Sequence, residues 1–353
     1  MTTRLDRRVV ENRAGEPVTA TAANPRIPWS FAYLVSAAAA TALVVTLLAG
    51  AGAPRASLPG LPDAGPITGW GLPGMRLAAE LAGMLAIGGL LTAAVLLPGR
   101  SGRLEAAAAG SVRVTTVASA VVAAAAVVQI QLTVSDFLGV PPFRLFGASD
   151  LSGSVVGTMQ GRALLLQCAF ATLVAAAGRR LTSRRGAGLL LVPATVAVAA
   201  PSLAGHAWVG AHPVAGMSSL LLHIVAASLW VGGLVALAIV VRSSRADLRG
   251  AVSRFSRLAM VCIVAVLVSG VVNAWVEIGS PAGLVGTPYG LLVLAKASAL
   301  LLLAGVGWQH RRRSIPALVR GSRSTFVRLA GAEIVLMAAT VGLAVGLART
   351  PIH

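Results

Sequence analysis

Apolar residues run along this chain in nine long blocks, separated by short polar, basic or Pro/Gly-rich connections. The blocks fall at about residues 31–51, 75–97, 112–135, 160–178, 187–204, 217–241, 257–277, 288–309 and 327–347. Most approach the roughly 20 residues that a helix needs to cross the hydrocarbon core of a bilayer. Backbone polar groups in hydrocarbon must find partners within the chain, so only helices or closed barrels can span it. The two-residue alternation of a barrel strand is absent. The pattern predicts an all-α integral membrane protein, a polytopic bundle of about nine transmembrane helices.

The connections refine this. Residues 52–74 are rich in Pro and Gly, and 136–159 contains Asp136, Asp150 and Pro141-Pro142, so both read as loops. Residues 1–30 are polar and of mixed charge, too long for the basic lead of a cleaved signal, and predict a flexible tail before a retained first helix. No repeat of 20–50 residues and no attached soluble domain is visible. Gly342 and Gly346, four apart, predict close helix packing in the last span.

Composition agrees with the pattern: 56% of residues are hydrophobic and only 11% charged. The net charge of +18 raises the question of nucleic acid, but the placement of the arginines answers it. Arg4, Arg7, Arg8, Arg13 and Arg26 precede the first span, and Arg100, Arg103 and Arg113 lie between the second and third. Arg179, Arg180, Arg184 and Arg185 follow the fourth, and Arg242, Arg245, Arg249, Arg254 and Arg257 follow the sixth. Arg311 to Arg313, Arg320, Arg323 and Arg328 follow the eighth, whereas the alternate connections hold only Arg55, Arg76, Arg144, Arg162 and Arg349. Basic residues concentrated in alternate connections set topology rather than form a nucleic-acid face. The expected orientation is a cytoplasmic N-terminus and an external C-terminus.

Polar side chains inside the spans are the candidate chemistry, because an ionisable group in hydrocarbon is costly. The stretch GHAWVGAHPVAGMSSLLLHIVAASLWVGGLVALAIVV, residues 205–241, holds three of the five histidines. His206 and His212 fall in a connection and His223 inside a span. With the expected topology, Glu80, Asn273, Glu277 and Lys296 also fall in the external half of their spans, and Arg76 stands one turn from Glu80. Lys296 is the only lysine in the chain. It reads either as a compact ammonium whose titration shifts on burial, or as a snorkelling or counter-ion residue for Glu277 or Glu333. His223 reads either as a functional imidazole or as a hydrogen-bonded packing residue. Met217, at the entrance of the same span, offers a thioether of the kind Cu(I) favours, or simply fills core. Glu80 and Glu277 can neutralise a cation or pair with Arg76 and Lys296. Cys168 and Cys262 lie inside spans without paired spacing and imply no disulfide. Trp230 reads as packing and His310, beside Arg311, as an interface marker.

An ordered set of fragments resembles a known family. LLHIVAASLWVGGL, SRFSRLAMVCIVAVLVSGVVNAW and GTPYGLLVLAKASALLLLAGVGWQHRRR are similar to the copper resistance protein D (CopD) family. The similarity rests on His223, Trp230 to Gly233, Arg254 to Arg257, Gly270, Asn273, Thr287 to Gly290, Lys296 and Glu333, over roughly 217–347. The chain thus divides into a flexible cytoplasmic tail at 1–30, a five-helix membrane region at 31–204 and, where the resemblance lies, a CopD-like four-helix region at 205–350. The resemblance implies a bacterial cytoplasmic (inner) membrane protein of copper handling, of an actinobacterial type often fused to a cytochrome oxidase assembly module.

Three functions follow as expectations. The first is copper transport or delivery, with His206, His212, His223 and Met217 as metal ligands and Glu80, Asn273, Glu277 and Lys296 as a supporting polar cluster. A periplasmic or external copper chaperone and oxidase assembly proteins are its expected partners, with no catalytic residue. The second is a haem-binding membrane redox protein, since histidine in a bundle interior also holds haem iron. The third is an oxidase assembly scaffold whose polar cluster only joins helices.

Overall fold

The computed structural model describes residues 29–54, 62–97, 102–145, 151–204, 213–243, 249–278, 281–319 and 323–351. The long helices are α1 (Trp29–Ala49), α2 (Gly65–Leu91), α3 (Ala106–Leu138), α5 (Met159–Gly178), α6 (Arg184–Leu203), α7 (Pro213–Ser243), α8 (Arg249–Ile278), α10 (Pro288–Val319) and α11 (Arg323–Leu347). Two short ones, α4 (Leu151–Gly157) and α9 (Pro281–Gly286), sit in connections. Among the described residues, nine helices are long and apolar enough to cross a membrane. The expected all-α polytopic bundle is what the chain forms.

Two expected loops are partly helical. Residues 65–74 form the first turns of α2, and the 136–159 segment contains the end of α3, a 3-10 turn at Pro142–Arg144 and α4. Among the described residues of 52–74, Gly69 and Gly71 act as packing devices. Asp63 Oδ1 accepts from the Gly65 amide at 2.8 Å, Gly65 adopts φ +79°, and a proline then occupies the first helical turn. A Cβ on Gly69 would lie 2.6 Å from Pro54, and one on Gly71 2.9 Å from Leu132. Thr68 and Ser135 share a buried 2.7 Å hydrogen bond that ties the start of α2 to the end of α3. Helix breakers in water are tolerated in a membrane bundle when neighbours satisfy the backbone and small residues admit close approach.

Backbone contact at glycines fixes the centre. A Cβ on Gly88 of α2 would fall 1.9 Å from the Gly232 carbonyl oxygen, and one on Gly232 of α7 1.8 Å from the Met84 carbonyl oxygen. Gly233 meets the Phe255 ring, at 2.8 Å for a Cβ. The Trp230–Gly233 motif is thus a packing motif, and Trp230 is buried. A Cβ on Gly342 would meet the Ala39 carbonyl oxygen at 2.1 Å, so the expected glycine pair of α11 packs, against α1. One apolar core joins α2, α7, α8 and α11 through Ile87, Leu237, Phe255 and Met337. Cys262 is buried in that core, and both cysteines are free.

The helices alternate, so the bundle has an arginine-rich and an arginine-poor end. At the arginine-rich end α2 finishes in a π turn, Thr92–Leu96. Arg184 donates to the Ala94 carbonyl at 2.9 Å, and Arg254 Nε to the Leu96 carbonyl at 3.0 Å. Two guanidinium groups from α6 and α8 thereby satisfy carbonyls that a helix terminus leaves without partners. Arg254, part of the family-like RFSR fragment, is a helix cap.

Candidate functional site

His223 lies ten residues into α7, about 15 Å along its axis from the arginine-poor end. Its Nδ1 is 3.0 Å from Ser269 Oγ of α8. Ser269 Oγ is also 2.5 Å from the Ala265 carbonyl oxygen, an acceptor that takes the hydroxyl's only proton. The hydroxyl oxygen therefore accepts from Nδ1–H, and the imidazole lone pair resides on Nε2. One turn earlier on α7, Ser219 donates to the Ser269 carbonyl at 3.0 Å. Two polar residues four apart on α7 thus grip one residue of α8.

The α8 face continues the line. Ser269, Asn273 and Glu277 are spaced four apart, so they stack on one face rising toward the arginine-poor end. Asn273 and Glu277 are half-buried, and Glu277 interacts electrostatically with Tyr289 at the start of α10. Gly270 leaves room beside the imidazole: a Cβ there would be 3.7 Å from His223 Cε1.

Lys296, eight residues into α10, interacts electrostatically with both His223 and Glu80. Glu80 of α2 accepts from Arg76 Nε at 3.0 Å, and Arg76 Nη2 donates to Ser202 of α6 at 3.3 Å. Lys296 therefore links His223 to a carboxylate that is already paired. Of its expected counter-ions, Glu333 is paired with His310 of α10, and the carboxylate that acts on Lys296 is Glu80 of α2. Imidazole, ammonium, carboxylate and guanidinium from α7, α10 and α2 thus act on one another electrostatically in sequence, a half-buried polar track.

The expected ligands divide. His206 and His212 lie outside the described residues. Met217 is half-buried on α7, but six residues from His223 it points about 120° away around the helix, so it does not share the imidazole's face. Among the described residues, no group of three His, Cys, Asp or Glu side chains gathers that could hold a metal ion. Of the two expected ligands among the described residues, His223 lies at the polar track.

Two features escaped the expectation. Ser269 holds the imidazole and Ser219 bonds the Ser269 carbonyl; the signal was their four-residue offset from Asn273 and His223. The other is a buried pair at the opposite end. His310 Nδ1 of α10 lies 2.7 Å from Glu333 Oε2 of α11, and both residues are buried. His310 is a helix-joining core residue rather than an interface marker, because α11 brings a carboxylate against it.

The geometry stands beside a likeness in sequence. The family model "Copper resistance protein D" matches residues 249–347, which run from α8 to the end of α11. A copper resistance protein D from Pseudomonas syringae pv. tomato is 31% identical over 172 residues, 45% of this chain and 56% of that relative. The copper transport protein CutJ of Bacillus subtilis (strain 168) is 30% identical over 116 residues, 31% of this chain and 21% of the relative. The chain thus spans about half of one relative and a fifth of the other. No solved structure matches it. Over α8 to α11, which contribute Ser269 and Lys296 to the polar track, this multi-pass membrane protein is similar to copper resistance protein D.

Proposed function

We propose that the chain moves or delivers copper across the bacterial cytoplasmic membrane and receives the ion at the arginine-poor end, with His223 as its central ligand. The observation that carries this reading is the imidazole of His223, fixed by Ser269 with its lone pair on Nε2, within electrostatic reach of Lys296. Neutral imidazole accepts copper in either oxidation state, and a hydrogen bond at the opposite ring nitrogen orients it and raises its basicity. In this reading residues 205–350 carry the chemistry and the helices of 31–204 support it, with Glu80 reaching in from α2. The arginine-poor end is external, which makes both the N-terminus and the arginine-rich end cytoplasmic.

The site suits transit better than storage. His223 is the single described imidazole there, and the Lys296 ammonium beside it opposes a resident cation. In this reading His206 and His212 of the adjoining connection complete the ligand set as the ion arrives, while Met217, on another face of α7, can only meet the ion before it reaches His223. A periplasmic or external chaperone supplies the metal, and cytochrome oxidase assembly proteins are the receiving partners of the delivered ion.

Copper content of purified protein and copper accumulation in cells test the reading together. His223→Ala lowers both, whereas His310→Gln leaves the bound metal unchanged. Wild-type protein that neither binds copper nor alters its accumulation would sink the proposal.

A further inference from the structure

The His310–Glu333 pair at the arginine-rich end does not belong to the polar track. His310 is 7% exposed and Glu333 4%. The Glu333 carboxylate accepts from His310 Nδ1–H at 2.7 Å, which leaves the second ring nitrogen to carry the lone pair. That nitrogen, Nε2, is buried without a hydrogen-bond partner among the described residues. A polar atom left in this state is costly, and native proteins rarely keep one without a use.

The surroundings narrow what Nε2 can take. On α11, Glu333 and the Phe326 ring face the imidazole, the ring at 5.0 Å between centroids. On α10, Gly307 leaves space beside the carboxylate, 3.3 Å from Oε1 for a Cβ. The neighbouring guanidinium groups turn elsewhere: Arg311 donates to the Ser256 carbonyl of α8 at 2.7 Å, and Arg312 stacks on Trp308 at 3.8 Å. Arg257 of α8 and Arg328 of α11 are exposed. Among the described residues, no arginine or lysine forms an ion pair with the Glu333 carboxylate. A metal ion would require further donors, and none gathers there among the described residues. A proton requires one lone pair and one counter-charge, and the pair supplies both.

The pair is also joined to the polar track by geometry. Lys296, Leu303 and His310 are spaced seven apart on α10, so they lie on one face, with Lys296 and His310 about 21 Å apart. Leu303 is 1% exposed, which identifies this face as the one turned inward. One helix face carries both charged sites.

We propose that His310 and Glu333 form a proton-binding site facing the arginine-rich side, and that the transport proposed above is coupled to protons through it. A proton from that aqueous phase adds to His310 Nε2, the imidazolium is neutralised by the Glu333 carboxylate, and release restores the neutral ring. Chains of His and Glu in this role recur in membrane transporters. The inference rests on the copper reading for its cargo but not for the proton site itself.

The full chain reconstituted in vesicles, with an internal pH dye and an internal copper-chelating dye, tests it. Copper(I) added outside should produce copper entry together with proton movement in the wild type. In His310→Gln the copper-linked proton movement falls to the level of protein-free vesicles. Glu333→Gln replaces that variant should it not be monodisperse. Copper entry without proton movement, or undiminished proton movement in the variant, overturns the proposal. Absence of any copper entry in the wild type defeats the copper reading instead. Infrared titration then decides the proton site: carboxylate and imidazole bands that shift together with pH and vanish in His310→Gln support it, and a silent titration rejects it.

Discussion

The two ends of the bundle treat their histidines in opposite ways. At the arginine-poor end His223 is half-buried, held by a serine, and its charged neighbour is Lys296 of α10, itself acted on by Glu80 of α2. At the arginine-rich end His310 is fully buried and held by one carboxylate. A hydroxyl partner fixes a tautomer without adding charge, which leaves the imidazole free to meet a cation. A carboxylate partner adds a full counter-charge, so the imidazole is suited to take a proton. The two proposed sites thus differ in the charge held against Nδ1, a neutral hydroxyl at one end and a carboxylate at the other.

Both sites depend on helix register, and the largest effect follows from breaking it. Gly232→Val forces a side chain into the Met84 carbonyl, where a Cβ would be only 1.8 Å away. The α2–α7 crossing has to open, at an expected cost of about 3 kcal/mol or more. Because α2 carries Glu80 and α7 carries His223, the proposed copper binding should be lost with it. His310–Glu333, between α10 and α11, is affected less. Loss of folded, monodisperse protein in detergent and a lowered melting temperature are the measurements; a variant as stable as wild type contradicts the backbone contact.

Glu333→Leu comes next. It removes the only described partner of a buried imidazole, leaving both ring nitrogens unsatisfied, with an expected loss of about 1–3 kcal/mol. The matching change at the other end, Ser269→Ala, deletes an interhelical hydrogen bond of about 0.6 kcal/mol in a membrane protein. Its effect on copper is larger than its effect on stability. A lost hydrogen bond behind a metal-binding imidazole costs about 10–100-fold in affinity. Thermal melting and chelator competition on the two variants should therefore rank them in opposite order. Identical rankings would erase the distinction between the two ends.

Lys296→Met sharpens the electrostatic side of the comparison. The ammonium opposes a cation at His223, so its removal should tighten copper retention and slow release. Chelator-driven release from purified protein, followed in time, reads this directly. Faster release from the variant would mean that Lys296 assists binding, through Glu80, rather than opposing it.

The fold was legible because hydrocarbon enforces its own rule: a span is apolar for its whole length, and arginines crowd alternate connections. Helix ends were less legible. Gly65 to Gly74 carries every loop signal that holds in water, yet Pro54, Leu132 and Ser135 convert it into a packed helix end. Of the site, His223, Glu80 and Lys296 were legible as polar residues in apolar spans. Their pairing was not. Glu80 and Lys296 are far apart in sequence, and His310 and Glu333 lie on different helices, so each pair depends on which faces meet. Ser269 was overlooked because a lone serine in an apolar helix carries little signal until Asn273 and Glu277 are seen to continue it four residues at a time.

The smallest expected effect tests whether the imidazole of His223 works where it stands. A Cβ on Gly270 would be 3.7 Å from Cε1, an ordinary van der Waals distance. Gly270→Ala should therefore fit, and replacing a helical glycine adds up to about 1 kcal/mol of helix stability. The melting temperature should stay level or rise slightly, with copper affinity unchanged. If copper binding required the ring to swing toward α8, the new methyl group would stand in its way, and affinity would fall while stability rose. Gly270→Val brings two further methyl groups toward the ring and should lower affinity in either case. The pair of variants thus distinguishes a ring that binds in its present rotamer, anchored on Ser269, from one that must leave Ser269 to reach its ligand.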